Sequence, residues 1–218
     1  PVYDAVEDNQ GMLWTISYGG ITLYDPEKER SLMAYRFGSG SVSGSSFTSS
    51  KYMDLMKDSK GNIWATNDEG LIRFSYKENY KSKEMIFNKC SENIFNIDLF
   101  HLSQDTIYGR NLVNKIFEDS GGNIWTGCID GLYVMRKGDT KFYRIELKHE
   151  METASRDLVW DIVQQNEDTF WINSGNTGYL MTNVKKALHG SAPDDSALDF
   201  TKIVALNDKK ITIFYKEC

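Results

Sequence analysis

Glu118-Asp119-Ser120-Gly121-Gly122-Asn123-Ile124-Trp125-Thr126, with Gly131-Leu132-Tyr133 close behind it, is the stretch on which the reading of this chain turns, because versions of it recur along nearly the whole length. Aligned on their tryptophans, the copies fall at Trp14, Trp64, Trp125 and Trp171, separated by 50, 61 and 46 residues. Six positions before the indole stand Asp8, Asp58, Asp119 and Gln165, and three before it Gly11, Gly61, Gly122 and Asp168. The residues just ahead of it are Leu13, Ile63, Ile124 and Phe170, and those twelve before it Val2, Tyr52, Val113 and Val159. The fourth copy departs from the others at both turn positions.

Each column has a physical assignment. Val2 to Glu7, Tyr52 to Lys57, Val113 to Glu118 and Val159 to Gln164 are short and rich in apolar residues, and the first three end at an Asp-x-x-Gly turn signal, so they read as strands. In that turn the Asp side chain accepts from a backbone N–H two residues on, while Gly takes a positive φ without a Cβ clash. A second strand carries the Trp, which brings a large buried area to a repeat too small to own a core. A second Gly-containing turn leads to a third strand such as Leu71 to Phe74. A fourth is expected at Ser31 to Phe37, Glu84 to Cys90 and Lys141 to Leu147. Four antiparallel strands per period of roughly 40 to 50 residues make a β-propeller blade. The expected fold is therefore all-β: a β-propeller segment of about four four-stranded antiparallel blades in an incomplete ring. The single propeller segment covers 1–218, with blades at about 2–37, 52–90, 113–147 and 159–218.

The rest of the sequence agrees with a stacked array. A hydrophobic content of 40% supplies a core, and no apolar run approaches the roughly 18 residues of a membrane span. The chain begins without a charged and apolar leader, so either a signal peptide has been removed or this is a piece of a larger polypeptide, and Pro1 as first residue favours the second. Lys+Arg 25 against Asp+Glu 31 gives a net charge of −6, and no basic patch is visible, which argues against a nucleic-acid partner. Cys90, Cys128 and Cys218 form neither a metal pattern nor a disulfide framework, and Cys128 reads as a buried small hydrophobe. Gly38 to Ser50 is a flexible connector by composition. Ile94 to Leu102 reads as an apolar insertion between the second and third blades. Asn183 to Gly190 reads as a short helix with Asn183 as N-cap and Gly190 as terminator, and a last strand is expected near Lys210 to Tyr215.

The string [E/K]-D-S-x-G-N-I-W followed by G-L-x-x-F/M, at Lys57 to Phe74 and Glu118 to Met135, resembles the two-component regulator propeller repeat. The resemblance covers about Val2 to Met181 in four copies. The tail from Asn183 to Cys218 also resembles the last blade of such propellers. It implies the extracellular sensor region of a hybrid two-component regulator of the kind found in gut Bacteroidetes, placed in the periplasm. The membrane span and the histidine kinase lie in parts of the family's polypeptide absent from this sequence.

The Asp-x-x-Gly turn joins strands one and two at one end of the blade. The next turn lies at the opposite end, together with the connector that enters each blade, and propellers usually bind ligands there. The ligand-binding candidates at that end are Ser17, Tyr18, Lys51, Asp68, Glu69, Arg110, Asn111, Asp130, Arg156, Asp157 and Asn176. Aromatic and hydrogen-bonding groups on such a rim suit a sugar, with its apolar C–H faces and hydroxyl edges. Phe95, Phe100 and His101 in the insertion are expected at the same end, either covering a ligand, meeting another domain or, the favoured reading, packing on the blades themselves.

Catalytic readings find no support. The Asp-box of sialidases has its Asp five residues before the Trp and a Ser seven before it, where this chain has Glu7, Lys57, Glu118 and Gln164, and the arginines are scattered. His101, His149 and His189 stand far apart, and neither His-Glu-x-x-His, Gly-x-Ser-x-Gly nor a phosphate-binding loop occurs. No calcium loop of the Asp-x-Asp-x-Asp-Gly type is present. No metal or cofactor is expected. The repeated Asp and Trp read as a folding element. Two functions remain: a non-catalytic propeller that senses an oligosaccharide, or a scaffold that packs against neighbouring propeller blades or a second copy of the chain.

Overall fold

A computed structural model describes residues 2–17, 20–36, 54–67, 70–78, 94–102, 113–145, 158–174 and 177–203. In these residues the chain is all-β, built from four separate four-stranded antiparallel sheets. The first sheet holds β1 (Val2–Glu7), β2 (Leu13–Ser17), β3 (Gly20–Asp25) and β4 (Arg30–Arg36). The second holds β5 (Leu55–Lys57), β6 (Ile63–Asn67), β7 (Gly70–Tyr76) and β8 (Phe95–Phe100). The third holds β9 (Val113–Glu118), β10 (Ile124–Cys128), β11 (Gly131–Met135) and β12 (Tyr143–Ile145), and the fourth β13 (Val159–Asn166), β14 (Thr169–Ser174), β15 (Thr177–Thr182) and β16 (Asp199–Ile203). Every sheet is a plain meander in which sequence neighbours pair. This is the four-stranded propeller blade repeated along the chain.

The tryptophans occupy one register. Trp14 pairs with Val6 and Leu23, Trp64 with Met56 and Arg73, and Trp171 with Val163 and Leu180, while Trp125 stands opposite Val134. The drifted fourth copy is therefore a true register equivalent of the others.

Two strands fall elsewhere than the sequence pattern suggests. The fourth strand of the second sheet is β8, the stretch read as an insertion, and 84–90 lies outside the described residues. Along β8 the inward Phe95 is buried, while Ile97 and Leu99 face solvent, so the run is half apolar core and half edge. The fourth strand of the last sheet is β16, and 210–215 lies outside the described residues. The expected helix is α1 (Val184–Leu188). Asn183 sits at its N-cap position in left-handed conformation but makes no side-chain cap. Its amide donates to Asp199 instead, tying α1 to β16.

The chain divides into two compact units, Pro1–Ile116 and Phe117–Cys218. In the first, Trp14 lies fully buried against the second sheet, with ring centroids 5.3 Å from Phe74 and 5.1 Å from Phe95. Ile16, Leu23, Leu55, Ile63 and Ala65 close around it. Fully burying one such side chain is worth roughly 1.5–3 kcal/mol, and here each sheet supplies half of the layer. Two carboxylates also link successive first strands. Asp4 Oδ2 accepts from the amide of Leu55 at 2.9 Å, and Asp54 Oδ2 from the amide of Ile116 at 3.0 Å, with Lys115 Nζ 3.2 Å away. Burial of Asp54 raises its carboxyl pKa, an effect that Lys115 only partly offsets.

In the second unit Trp125 packs edge-on to Phe170 at 5.1 Å, within a layer that includes Val134, Ile145, Ile162 and Met181. Val184 and Ala187 of α1 complete that layer from its end. Close approach of the two sheets depends on Gly127, where an added Cβ would stand 2.7 Å from Val159 Cγ1 and 2.8 Å from its carbonyl oxygen.

Candidate functional site

The repeated turns are the most highly organised polar sites in the described residues. In the first, Asp8 Oδ1 accepts from the amides of Gln10 at 2.8 Å and Met12 at 3.0 Å, and Oδ2 accepts from the Trp14 indole at 2.8 Å. Asp58 repeats this with Lys60, Asn62 and Trp64, and Asp119 with Gly121, Asn123 and Trp125. Gly11, Gly61 and Gly122 close the turns at φ values of 72°, 83° and 82°. The six-residue spacing of Asp and Trp thus has a second purpose besides turn formation: the carboxylate receives the one polar hydrogen of an otherwise buried ring. That bond was not inferred from the sequence, although the constant spacing was its signal.

The remaining lone pairs of these carboxylates are used in two ways. Asn62 and Asn123 each donate a side-chain amide to the Asp of their own turn at 2.8 Å. The first turn has Met12 at that position, and the Tyr76 hydroxyl, from the second sheet, donates to Asp8 at 2.6 Å. Burial and the adjacent Asp8 charge push the Tyr76 phenol far above its usual range, so it is a permanent donor. With every oxygen engaged inwardly, these carboxylates are structural acceptors rather than acids or bases presented to a ligand.

At the opposite end of the blades, Ser17 and Asp130 are described, while Tyr18, Lys51, Asp68, Glu69, Arg110, Asn111, Arg156, Asp157 and Asn176 lie outside the described residues. Ser17 Oγ donates to the Gly20 carbonyl at 3.3 Å, a weak closure of its own turn. Asp130 Oδ2 accepts from the Tyr133 hydroxyl at 2.9 Å, and Arg144 donates to the Asp130 carbonyl oxygen at 2.8 Å. Asp130 Oδ1 is buried without a hydrogen-bond partner among the described residues, an arrangement that leaves one acceptor ready for a donor. Burial first, then Asp130, raises the Tyr133 phenol above its ordinary value. Phe95 and Phe100 do not form a cover at this end. They belong to β8, where Phe95 sits against Trp14 and Phe100 stacks on Trp64 at 5.4 Å.

Nothing among the described side chains assembles a reaction centre. Burial drives the Cys128 thiol well above its usual pKa, which suppresses the thiolate needed for nucleophilic chemistry. No group of His, Cys, Asp and Glu among the described residues could hold a metal ion. No helix among them is long and apolar enough to cross a membrane.

No family model matches the chain, and no curated protein matches it. Solved structures do. The extracellular domain of a protein described as the hybrid two-component system BT3049 of B. thetaiotaomicron aligns over 83% of this chain and 21% of its own, with a TM-score of 0.55 and 20% identity. The extracellular domain of BT4673 from the same organism, described as a hybrid two-component system, aligns over 79% and 20% with a TM-score of 0.51 and 15% identity. PorZ, a surface component of the type-IX secretion system of Porphyromonas gingivalis, aligns over 84% and 26% with a TM-score of 0.55 and 14% identity. The chain spans about a fifth to a quarter of these neighbours' lengths. At this level of identity the likeness is one of fold.

Proposed function

We propose that this chain is a segment of the extracytoplasmic sensor region of a membrane-spanning two-component regulator, without catalysis of its own, and that it takes part in binding an oligosaccharide in the periplasm. The observation that carries this reading is the match of four Trp-anchored sheets, three of them with an Asp-x-x-Gly turn, over most of the chain, to extracellular domains described as parts of hybrid two-component systems. The repeat string at Lys57 to Phe74 and Glu118 to Met135 supports it independently. Asp130, with an oxygen unengaged among the described residues at the connector end of the third sheet, supports placing a hydroxyl-bearing ligand at that end. Signalling requires that the ligand bind two arrangements of the receptor unequally.

The test is calorimetric titration of the 218-residue chain with purified oligosaccharides. Saturable heat that disappears in Tyr18→Ala or Arg110→Ala is the expected result. A second reading is favoured by the equally good fold match to PorZ, a surface component of a secretion system. There the sheets act as a scaffold for other propeller blades or a second copy. Absence of sugar binding together with concentration-dependent association in sedimentation would select it.

A further inference from the structure

At the Asp-turn end of the first unit, away from the connector end discussed above, the first and second sheets leave a cleft of about 380 Å³. Its lining is Asn9 and Gln10 from one turn, Lys60, Gly61 and Asn62 from the next, and Ser75 and Tyr76 from the end of β7. Such a volume lies within the range of small-ligand pockets. The side chains of Asn9, Gln10, Lys60 and Ser75 make no hydrogen bond or ion pair among the described residues. Asn62 is held by the bond of its amide to Asp58, which leaves its carbonyl oxygen as an acceptor. Asn9 is brought so near the second turn that a Cβ on Gly61 would meet its amide nitrogen at 2.5 Å. Tyr76 is fixed by its hydroxyl bond to Asp8 and by ring contact with Phe95 at 4.7 Å.

The second unit shows the same region with its polar groups consumed. There the Ser120 amide donates to Gln164 Oε1 at 3.0 Å, and Gln164 Nε2 donates back to Ser120 Oγ at 2.8 Å. Asp168 accepts from the amide of Lys185 at 2.8 Å, and Arg136 donates to the carbonyl oxygens of Gly190 and Ser191 at 2.7 and 2.8 Å. The turns of that unit are satisfied by each other and by the α1 segment, whereas those of the first unit face an open cleft.

From this contrast we infer that the cleft between the first two turns is a binding site for a single acidic sugar residue of the hexuronate type. Carboxamides and a hydroxyl offer donors and acceptors to ring hydroxyls, and the aromatic face of Tyr76 suits an apolar C–H face. Lys60 is the one ionic group in the lining. The Asp8 and Asp58 carboxylates beneath it are occupied by backbone amides and indoles. A carboxylate on the ligand therefore finds a cation without a competing anion in the lining, and an ammonium–carboxylate hydrogen bond is among the stronger ones.

This site does not depend on the sensor reading and is tested separately. The 218-residue chain is titrated by calorimetry with D-galacturonate and D-glucuronate, and with D-galactose and D-glucose as neutral counterparts. The expected result is saturable binding of a uronate at least tenfold tighter than of its neutral counterpart. Lys60→Ala weakens it tenfold or more, Ser75→Trp abolishes it by filling the cleft, and Arg110→Ala leaves it unchanged. Lys60 is exposed, so its variant should keep the wild-type circular dichroism spectrum and unfolding midpoint. No saturable binding, equal binding of neutral sugars, or binding that survives both Lys60→Ala and Ser75→Trp overturns the proposal. Loss of uronate binding in Arg110→Ala, with binding kept in Lys60→Ala, assigns the sugar to the connector end and overturns it as well.

Discussion

In the turns at Asp8, Asp58 and Asp119 one carboxylate collects two backbone amides and a buried indole. In the turn before Trp171 the same ring donates to a carboxamide, Gln165 Oε1, at 2.8 Å, and that bond is exposed. The backbone there needs no carboxylate. β13 and β14 join through Glu167 and Asp168 alone, with Asn166 and Thr169 paired across them and Asn166 Oδ1 accepting from the Asp168 amide. The rings differ accordingly: Trp14, Trp64 and Trp125 are fully buried, and Trp171 is half-buried. The comparison teaches that the charge accompanies burial. A fully buried indole is matched by an acceptor that also organises the turn, whereas a ring nearer to water requires one neutral hydrogen bond.

The comparison can be broken most directly at the rings. Trp125→Ala should cost about 3–5 kcal/mol in urea unfolding, and Trp171→Ala less than half of that; equal losses would show that the two positions are energetically alike. Next comes the acceptor. Asp119→Ala strands the Trp125 Nε1–H and two backbone amides and should cost about 3 kcal/mol, since each buried donor without a partner costs about 1–3 kcal/mol. Gly127→Ala, which forces a Cβ against Val159, should cost about 1–3 kcal/mol by overpacking. Gln165→Ala removes one exposed bond and should cost under about 1 kcal/mol; a loss as large as that of Asp119→Ala would abolish the distinction between the turns.

The smallest effect is one of pH. Because burial raises the Asp54 carboxyl, the folded state holds that proton more tightly than the unfolded chain. Its stabilising contribution is present in acid, below the unfolded value, and is lost as pH rises through the folded one. Urea midpoints of wild type and Asp54→Asn measured from pH 3 to 7 should therefore converge or cross, with the wild type gaining on the variant toward acid. Parallel curves would show that Asp54 does not titrate differently on folding.

The sheets were legible because their columns are local. Asp, Gly and Trp recur at fixed offsets within nine residues, and Val2 to Glu7 and Val113 to Glu118 coincide with β1 and β9. The fourth strands were less legible, since long connectors precede β8 and β16, and nothing local distinguishes an edge strand from an apolar insertion. Ile94 to Leu102 was misread for that reason. The cleft of the first unit could not be seen in the sequence at all. It joins Asn9 to Lys60 across two repeats, and each reads alone as an ordinary wet turn residue. Among the connector-end candidates, the unequal hydrogen bonding of the two Asp130 oxygens is likewise invisible in the sequence.

The indole–carboxylate bond also bears on how the protein forms. Asp and Trp lie six residues apart in the first three copies, so the loop they close is short and its entropic cost small. Each hairpin can assemble from nearby partners alone, in the manner of other contacts of low sequence separation. The outer sides of Trp14 and Trp125 then wait for the following sheet of their own unit, so that docking, rather than turn closure, is the slow and cooperative event.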